Sequence, residues 1–228
     1  MNSTPMLLQR RSKNIHKLIQ YSRWPLGCLV FFVWGCGHSV PDTRNENAAD
    51  TVRYLKALDS ASGLLKTGDL VFRRGNDPAS QTFANMNRED RRFSHVGVVR
   101  VENNKPFIVH AIGGSFNPDQ KIKKESLDIF AAPSQNLRFA VFRAPALPEE
   151  LVARMLDSLY HAGVPFDLNF DLKTDDRLYC SEMVYKLLKI CNPSLELKTS
   201  VVNKHAYVST ETFTRCSGIK EIMCIDLK

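Results

Sequence analysis

Three side chains in this sequence are of the types that covalent catalysis uses. Cys180 sits in DDRLYCSEMVYKLL, residues 175–188, just after an acid-rich loop and at the first turn of a helical pattern. His95 and His110 lie on the two arms of a strand–turn–strand pattern, SHVGVVRVENNKPFIVHAI. In thiol chemistry the thiolate attacks, an imidazole takes the thiol proton, and a third group orients the imidazole. A helix N-terminus favours the thiolate, lowering a thiol pKa from about 8.5 to roughly 3.5–7.5 when a cation assists, and its free N–H groups can hold an oxyanion. The spacing leaves a second reading open. Val184, Leu187 and Leu188 follow Cys180 at steps of four, seven and eight, so the sulfur faces the core, where an inert cysteine would also belong.

The turn fixes how the histidines meet. Asn103 and Asn104 suit a two-residue hairpin turn because Asn tolerates positive φ. Glu102 then faces Lys105, which sets His110 opposite Gly97 and His95 opposite Ile112. Side chains alternate along a strand, so both histidines and Gly97 share one face, with the rings roughly 5–8 Å apart on a diagonal. Gly97 is expected to leave the space between them open. A slip of one residue would put the histidines on opposite faces.

The elements that must carry these groups alternate between short strands and helices. TGDLVFRRG opens on a Gly68–Asp69 turn and continues as a strand, and Asn136–Ala144 is a further strand. After Pro148, Leu151, Val152, Met155, Leu156, Leu159 and Tyr160 recur at helical spacing until Gly163. The cysteine helix runs from about Tyr179 to Ile190. VSTETF suggests a short helix capped by Ser209, and Ile219–Asp226 an edge strand.

Residues 1–24 hold Arg10, Arg11, Lys13, Lys17 and Arg23 without an acid, followed by the apolar PLGCLVFFVWG and then Cys36. This is the pattern of an export signal, too short in its apolar part to span a bilayer comfortably. VWGC at 33–36 resembles a bacterial lipobox, with Trp34 where a small residue is usual, and makes Cys36 the lipidation candidate; an uncleaved hydrophobic anchor is the rival reading. The expected organisation is a signal at 1–35, a polar tether at 36–50 and one domain at 51–228. The domain would sit on the periplasmic side of the cell envelope, membrane-tethered.

With 43% hydrophobic residues in 228, one sizeable core is expected. The formal net charge is +7, but the five leader cations leave only +2 for the body. No basic stripe interleaved with aromatics appears, so nucleic acid is not an expected partner. Cys180, Cys191, Cys216 and Cys224 have no CxxC spacing and give no support for a metal site. One disulfide among the last three and three buried thiols are both open readings.

The segments LKTGDLVF, FSHVGVV, NNKPFIVHA, GVPFDLNFDLKTDDRLYCSEMVYKLL and, more faintly, VSTETF resemble the permuted papain-like amidases of the YiiX/YaeF type. Those are relatives of NlpC-type cell-wall peptidases and of lecithin retinol acyltransferase. The resemblance spans most of residues 64–213, with the histidine strand ahead of the cysteine helix. It implies an α+β fold in which an antiparallel sheet packs against the helix bearing the nucleophile. It further implies Cys180 as nucleophile, His95 as general base and His110 as its orienter, where the family often carries Glu. A neutral imidazole stabilises a cationic His95 less than a carboxylate would.

The activity implied is hydrolysis of an amide or ester bond in an envelope peptide or lipid, through an acyl-enzyme and without a cofactor. Acyl transfer of the retinol acyltransferase kind is an alternative. So is a non-catalytic envelope lipoprotein that binds peptidoglycan peptides or lipid. Tyr179 could line the pocket or help hold the oxyanion, with Gly97 beside it, or simply pack at the helix start. Asp167, Asp171, Asp175 and Asp176 read as a solvated acidic loop, Glu182 as a complement to the helix dipole, and His161 and His205 as surface.

Overall fold

The computed structural model describes residues 43–114, 117–202 and 205–227. Cys36 and the rest of the expected signal lie outside them.

Six antiparallel strands form the central sheet, and hydrophobic alternation decides which way each face looks. They are β1 (Leu70–Gly75), β2 (His95–Glu102), β3 (Lys105–His110), β4 (Lys123–Ser126), β5 (Asn136–Arg143) and β8 (Lys220–Asp226), in the order β4-β3-β2-β1-β5-β8. A small separate ribbon pairs β6 (Ser200–Val202) with β7 (His205–Tyr207). Leu70, Phe72, Val96, Val98, Val109, Ala140 and Phe142 face one side, where α4 (Glu149–Ala162) buries Val152 and Leu156 and α5 (Cys180–Cys191) buries Val184, Leu187 and Leu188. Val71, Val99, Ile108, Phe139 and Val141 face the other. There α1 (Thr43–Ser62) supplies Tyr54, Leu58 and Ala61, and α3 (Leu127–Phe130) supplies Leu127 and Phe130.

α4 starts after Pro148 and stops at Gly163, whose φ of 60° is the left-handed cap that glycine adopts freely. α1 begins at Thr43, so the second half of the expected tether is helical. A helix also forms at α2 (Pro78–Asn85), where Asp77 caps by accepting from Ser80 N–H at 2.9 Å. The short α6 (Glu211–Thr214) takes Thr210 rather than Ser209 as its cap residue.

The β2–β3 register is the one the Asn-Asn turn requires. Glu102 pairs with Lys105 and Val98 with Val109, and Asn103 and Asn104 have φ of 49° and 62°.

Candidate active site

β2 and β3 set His95 and His110 on the same face, and their rings meet directly. His95 Nε2 lies 2.9 Å from His110 Nδ1, and the ring of Phe130 packs against both, at centroid distances of 5.7 and 5.0 Å. Behind them the relay continues. His110 Nε2 is 3.2 Å from the Glu125 carboxylate, which also receives Lys123 Nζ at 2.8 Å. β4 delivers Glu125, because His110 pairs with Lys123 and Ile108 with Glu125.

Charge at the end of this chain fixes the protons along it. The His110 hydrogen bond holds the Glu125 pKa at about 2, so the carboxylate is ionised and only accepts. His110 therefore donates from Nε2 and presents its Nδ1 lone pair to His95. His95 in turn donates from Nε2 and keeps a lone pair on Nδ1, the nitrogen free to take a proton. The tautomers follow from the hydrogen-bond network.

Glu125 was not foreseen in the sequence, and neither was Arg73. The latter is the strand neighbour of His95 on β1, donates to Phe130 O at 2.8 Å and stacks on the Phe130 ring at 4.8 Å. It places a fixed positive charge beside both imidazoles.

Cys180 approaches from the other side of the sheet, at the N-terminus of α5, and lines the same cavity as His95. The sulfur lies where the β2–β3 ladder ends. The backbone N–H of Val96, next to His95, faces it, as does the N–H of Ser181. The Ser181 hydroxyl also lies within reach of the sulfur and donates to Val208 O at 2.8 Å. Burial raises the Cys180 pKa, and the two N–H groups and Arg73 only partly oppose that. Burial likewise pushes His95 well below the usual imidazole range, with Arg73 and His110 adding to the effect. His110 is lowered by burial too, against the pull of Glu125. The helix N-terminus was expected to lower the thiol pKa; desolvation outweighs it.

A further expectation changes. Gly97 does not line the cavity. A Cβ there would lie 2.5 Å from Ile108 Cγ2 and 3.0 Å from His110 Cβ, so Gly97 is the residue that lets β3 side chains close over β2. Tyr179 does line it, by its ring, while its hydroxyl accepts from Val208 N–H at 2.9 Å. That bond ties the segment before α6 to α5.

Asp167 is not solvated. It is 2% exposed and accepts from Asn169 N–H at 2.8 Å and Asp171 N–H at 2.7 Å, closing its own loop. Asp175 pairs with Lys186 at 2.6 Å, and Glu182 accepts from Tyr179 N–H at 3.2 Å. Cys180, Cys191, Cys216 and Cys224 are all free thiols.

A family model described as the permuted papain-like amidase enzyme, YaeF/YiiX, C92 family, matches residues 64–212. The chain is similar to the uncharacterized protein YiiX of Escherichia coli K12, 27% identical over 124 residues. That stretch covers 54% of this chain and 56% of the relative, little more than half its length. A solved structure with the same fold is that of the metalloprotein yiiX from Escherichia coli O157:H7. It matches with a TM-score of 0.56 at 19% identity over 69% of this chain and 96% of that one.

A metal does not fit the donors present here. Both His110 nitrogens are spent, on His95 and on Glu125, and His95 offers only Nδ1. Among the described residues, no three His, Cys, Asp or Glu side chains converge on one point as a metal cage requires.

Proposed function

Because this chain belongs to the permuted papain-like amidases of the YaeF/YiiX type, we propose that it is a thiol hydrolase that cleaves an amide or ester bond through an acyl-enzyme on Cys180. The observation that carries this reading is the His95–His110–Glu125 relay, with contacts of 2.9 and 3.2 Å, ending in the cavity that Cys180 lines. A metal-independent route suits these donors. His95 Nδ1 takes the thiol proton as sulfur attacks the carbonyl, so the S–C bond forms while the imidazolium is made. The C–N or C–O bond then breaks as His95 returns the proton to the leaving group. Water, deprotonated by the same imidazole, hydrolyses the thioester.

With the thiol pKa raised and that of His95 lowered, proton transfer accompanies attack. His110 and Glu125 act as positioning residues. They hold the His95 tautomer, and the carboxylate favours the imidazolium from one ring away. The Val96 and Ser181 N–H groups face the sulfur and are the donors assigned here to a developing oxyanion.

The reading extends to the envelope, with the N-terminal segment exported and Cys36 lipidated as its tether. Its support is the basic, apolar and Cys order of residues 1–36. The experiment is acid-quenched intact mass spectrometry of the protein mixed with N-acyl aminocoumarin amides. An acyl adduct on Cys180, absent in Cys180→Ala, is expected. Hydrolysis that persists in Cys180→Ala would exclude the thiol mechanism. For the tether, Cys36→Ser should leave an unprocessed precursor; a wild-type membrane form with an intact N-terminus would remove the lipidation.

A further inference from the structure

The cavity beside Cys180 encloses about 330 Å³ and has two unlike walls. Phe166, Leu168 and Phe170 make an apolar one, while Arg73 and Asn136 stand with His95 on the other. Arg73 is the strand partner of His95, so the two side chains leave the same face of the sheet as neighbours. One hydrogen bond anchors the guanidinium: Nη1 donates to Phe130 O at 2.8 Å, and the group stacks on the Phe130 ring at 4.8 Å. Asn136 Nδ2 donates to the same Phe130 O at 3.3 Å and to Ala132 O at 2.9 Å, so the two side chains meet at one carbonyl.

Among the described residues, no carboxylate pairs with Arg73. The two whose charge reaches it are engaged elsewhere. Glu125 holds His110 at 3.2 Å and Lys123 at 2.8 Å, and Asp77 accepts from the N–H and hydroxyl of Ser80 at 2.9 and 2.6 Å. Asn136 is 1% exposed, and its amide oxygen has no partner among the described residues. An uncompensated charge beside a buried base is costly. It also opposes the reaction, because the Arg73 charge disfavours the imidazolium that His95 must become. An anion that arrives with the substrate resolves both conflicts.

From this we infer that Arg73 is a specificity-determining residue that binds an oxyanion, a carboxylate or a phosphate, carried by the leaving group of the substrate. A guanidinium presents its N–H groups as a planar fork that matches either oxyanion through two parallel bonds. The end of the substrate follows from the proton path. His95 hands its proton to the leaving atom, and Arg73 flanks His95, so the oxyanion belongs to the amine or alcohol that departs. The inference rests on the acyl-enzyme reading. Attack forms the S–C bond, and the C–N or C–O bond breaks as the leaving atom takes the proton from His95; the product departs with its oxyanion unchanged. Seated on Arg73, that oxyanion cancels the charge that opposes the imidazolium, so the substrate itself strengthens the base.

The test measures Cys180 acylation on the full chain by 4-acetoxybenzoate, 4-acetoxyphenyl phosphate and the uncharged methyl 4-acetoxybenzoate. Each rate is divided by that of the same ester with 2-mercaptoethanol, which removes the difference in leaving-group reactivity. At least one anionic ester should react about ten- to a hundredfold faster than the uncharged one, the span of a hydrogen bond to a charged group, and the faster of the two identifies the oxyanion. Arg73→Gln keeps a donor for Phe130 O and removes the charge, so the ratio should fall to about one. Arg73→Lys keeps the charge without the fork, should cut the preference about threefold, and serves if Arg73→Gln does not fold. A merely structural Arg73 would slow all the esters alike. Equal rates in the wild type, or a preference that these variants leave intact, would overturn the oxyanion site and leave the thiol mechanism standing. The absence of a Cys180 adduct from every ester would overturn both.

Discussion

The two walls of the cavity are built by different means. The histidine wall is fixed by strand pairing: β2 against β3 sets His95 to His110, and β3 against β4 sets His110 to Glu125. The aromatic wall, Phe166, Leu168 and Phe170, is a loop pinned by the buried Asp167 carboxylate, with Phe170 at a positive φ of 53°. Proton transfer tolerates little misplacement, with about 1 Å costing on the order of a hundredfold in rate, so a ladder is the right support. The loop transfers no proton, and a less rigid support suffices for it.

Breaking the histidine wall should have the largest effect. His95→Gln keeps a polar group of similar reach but removes the base, and should slow Cys180 acylation by about 10²–10⁴-fold with little change in melting temperature. Stopped-flow coumarin release measures this. Glu125→Gln acts from two residues away. Loss of a charge-assisted bond worth about 1.5–3 kcal/mol predicts a fall of about ten- to a hundredfold, and the altered tautomer should change the pH profile as well as the rate. An unchanged profile would mean that Glu125 merely packs against His110.

Gly97 tests the ladder itself. Gly97→Val drives side-chain atoms into Ile108 and His110, so it should cost about 1–3 kcal/mol of stability and slow Cys180 labelling. Adding Ile108→Ala should restore part of the stability. Asp167→Ala on the aromatic wall leaves two backbone N–H groups without their partner, a loss of about 1–3 kcal/mol in a thermal melt. The loop touches Cys180 only through its backbone bond to Leu178 and the Phe170–Tyr179 contact, so Cys180 alkylation should change far less than in His95→Gln.

Acid should loosen the histidine wall first. His95 and His110 have folded pKa values below the ordinary 6.5, so the unfolded chain binds more protons and stability falls as pH drops below that value. Glu125, depressed from 4.5 to about 2, stabilises above pH 4.5, and that contribution is lost as pH falls towards 2. Urea melts across pH should show Glu125→Gln lacking the second phase.

The histidine pair could be read from the sequence because a two-residue turn makes register a matter of counting. Glu125 could not. The connection from Ala111 to Ile122 is too long for register to be counted across it, and KKES reads as a charged surface. Arg73 looks like an ordinary strand-end cation; its place beside His95 exists only once β1 pairs with β2. Asp167 belongs to an acidic run, and only the fold distinguishes it from exposed neighbours such as Asp176. α1 was obscured by a polar start, although Tyr54, Leu58 and Ala61 have helical spacing. The cysteine helix was recognised, but the desolvation that raises the Cys180 pKa is a property of the assembled site.

The most direct measurement is the rate of Cys180 carbamidomethylation against pH, in wild type and His95→Gln, with Cys191, Cys216 and Cys224 as internal references. The account predicts slow labelling at mildly acidic pH, a rate that climbs into the alkaline range as the buried thiol ionises, and a marked slowing in His95→Gln. Rapid labelling of Cys180 at pH 5–6, or a rate indifferent to His95, would contradict it.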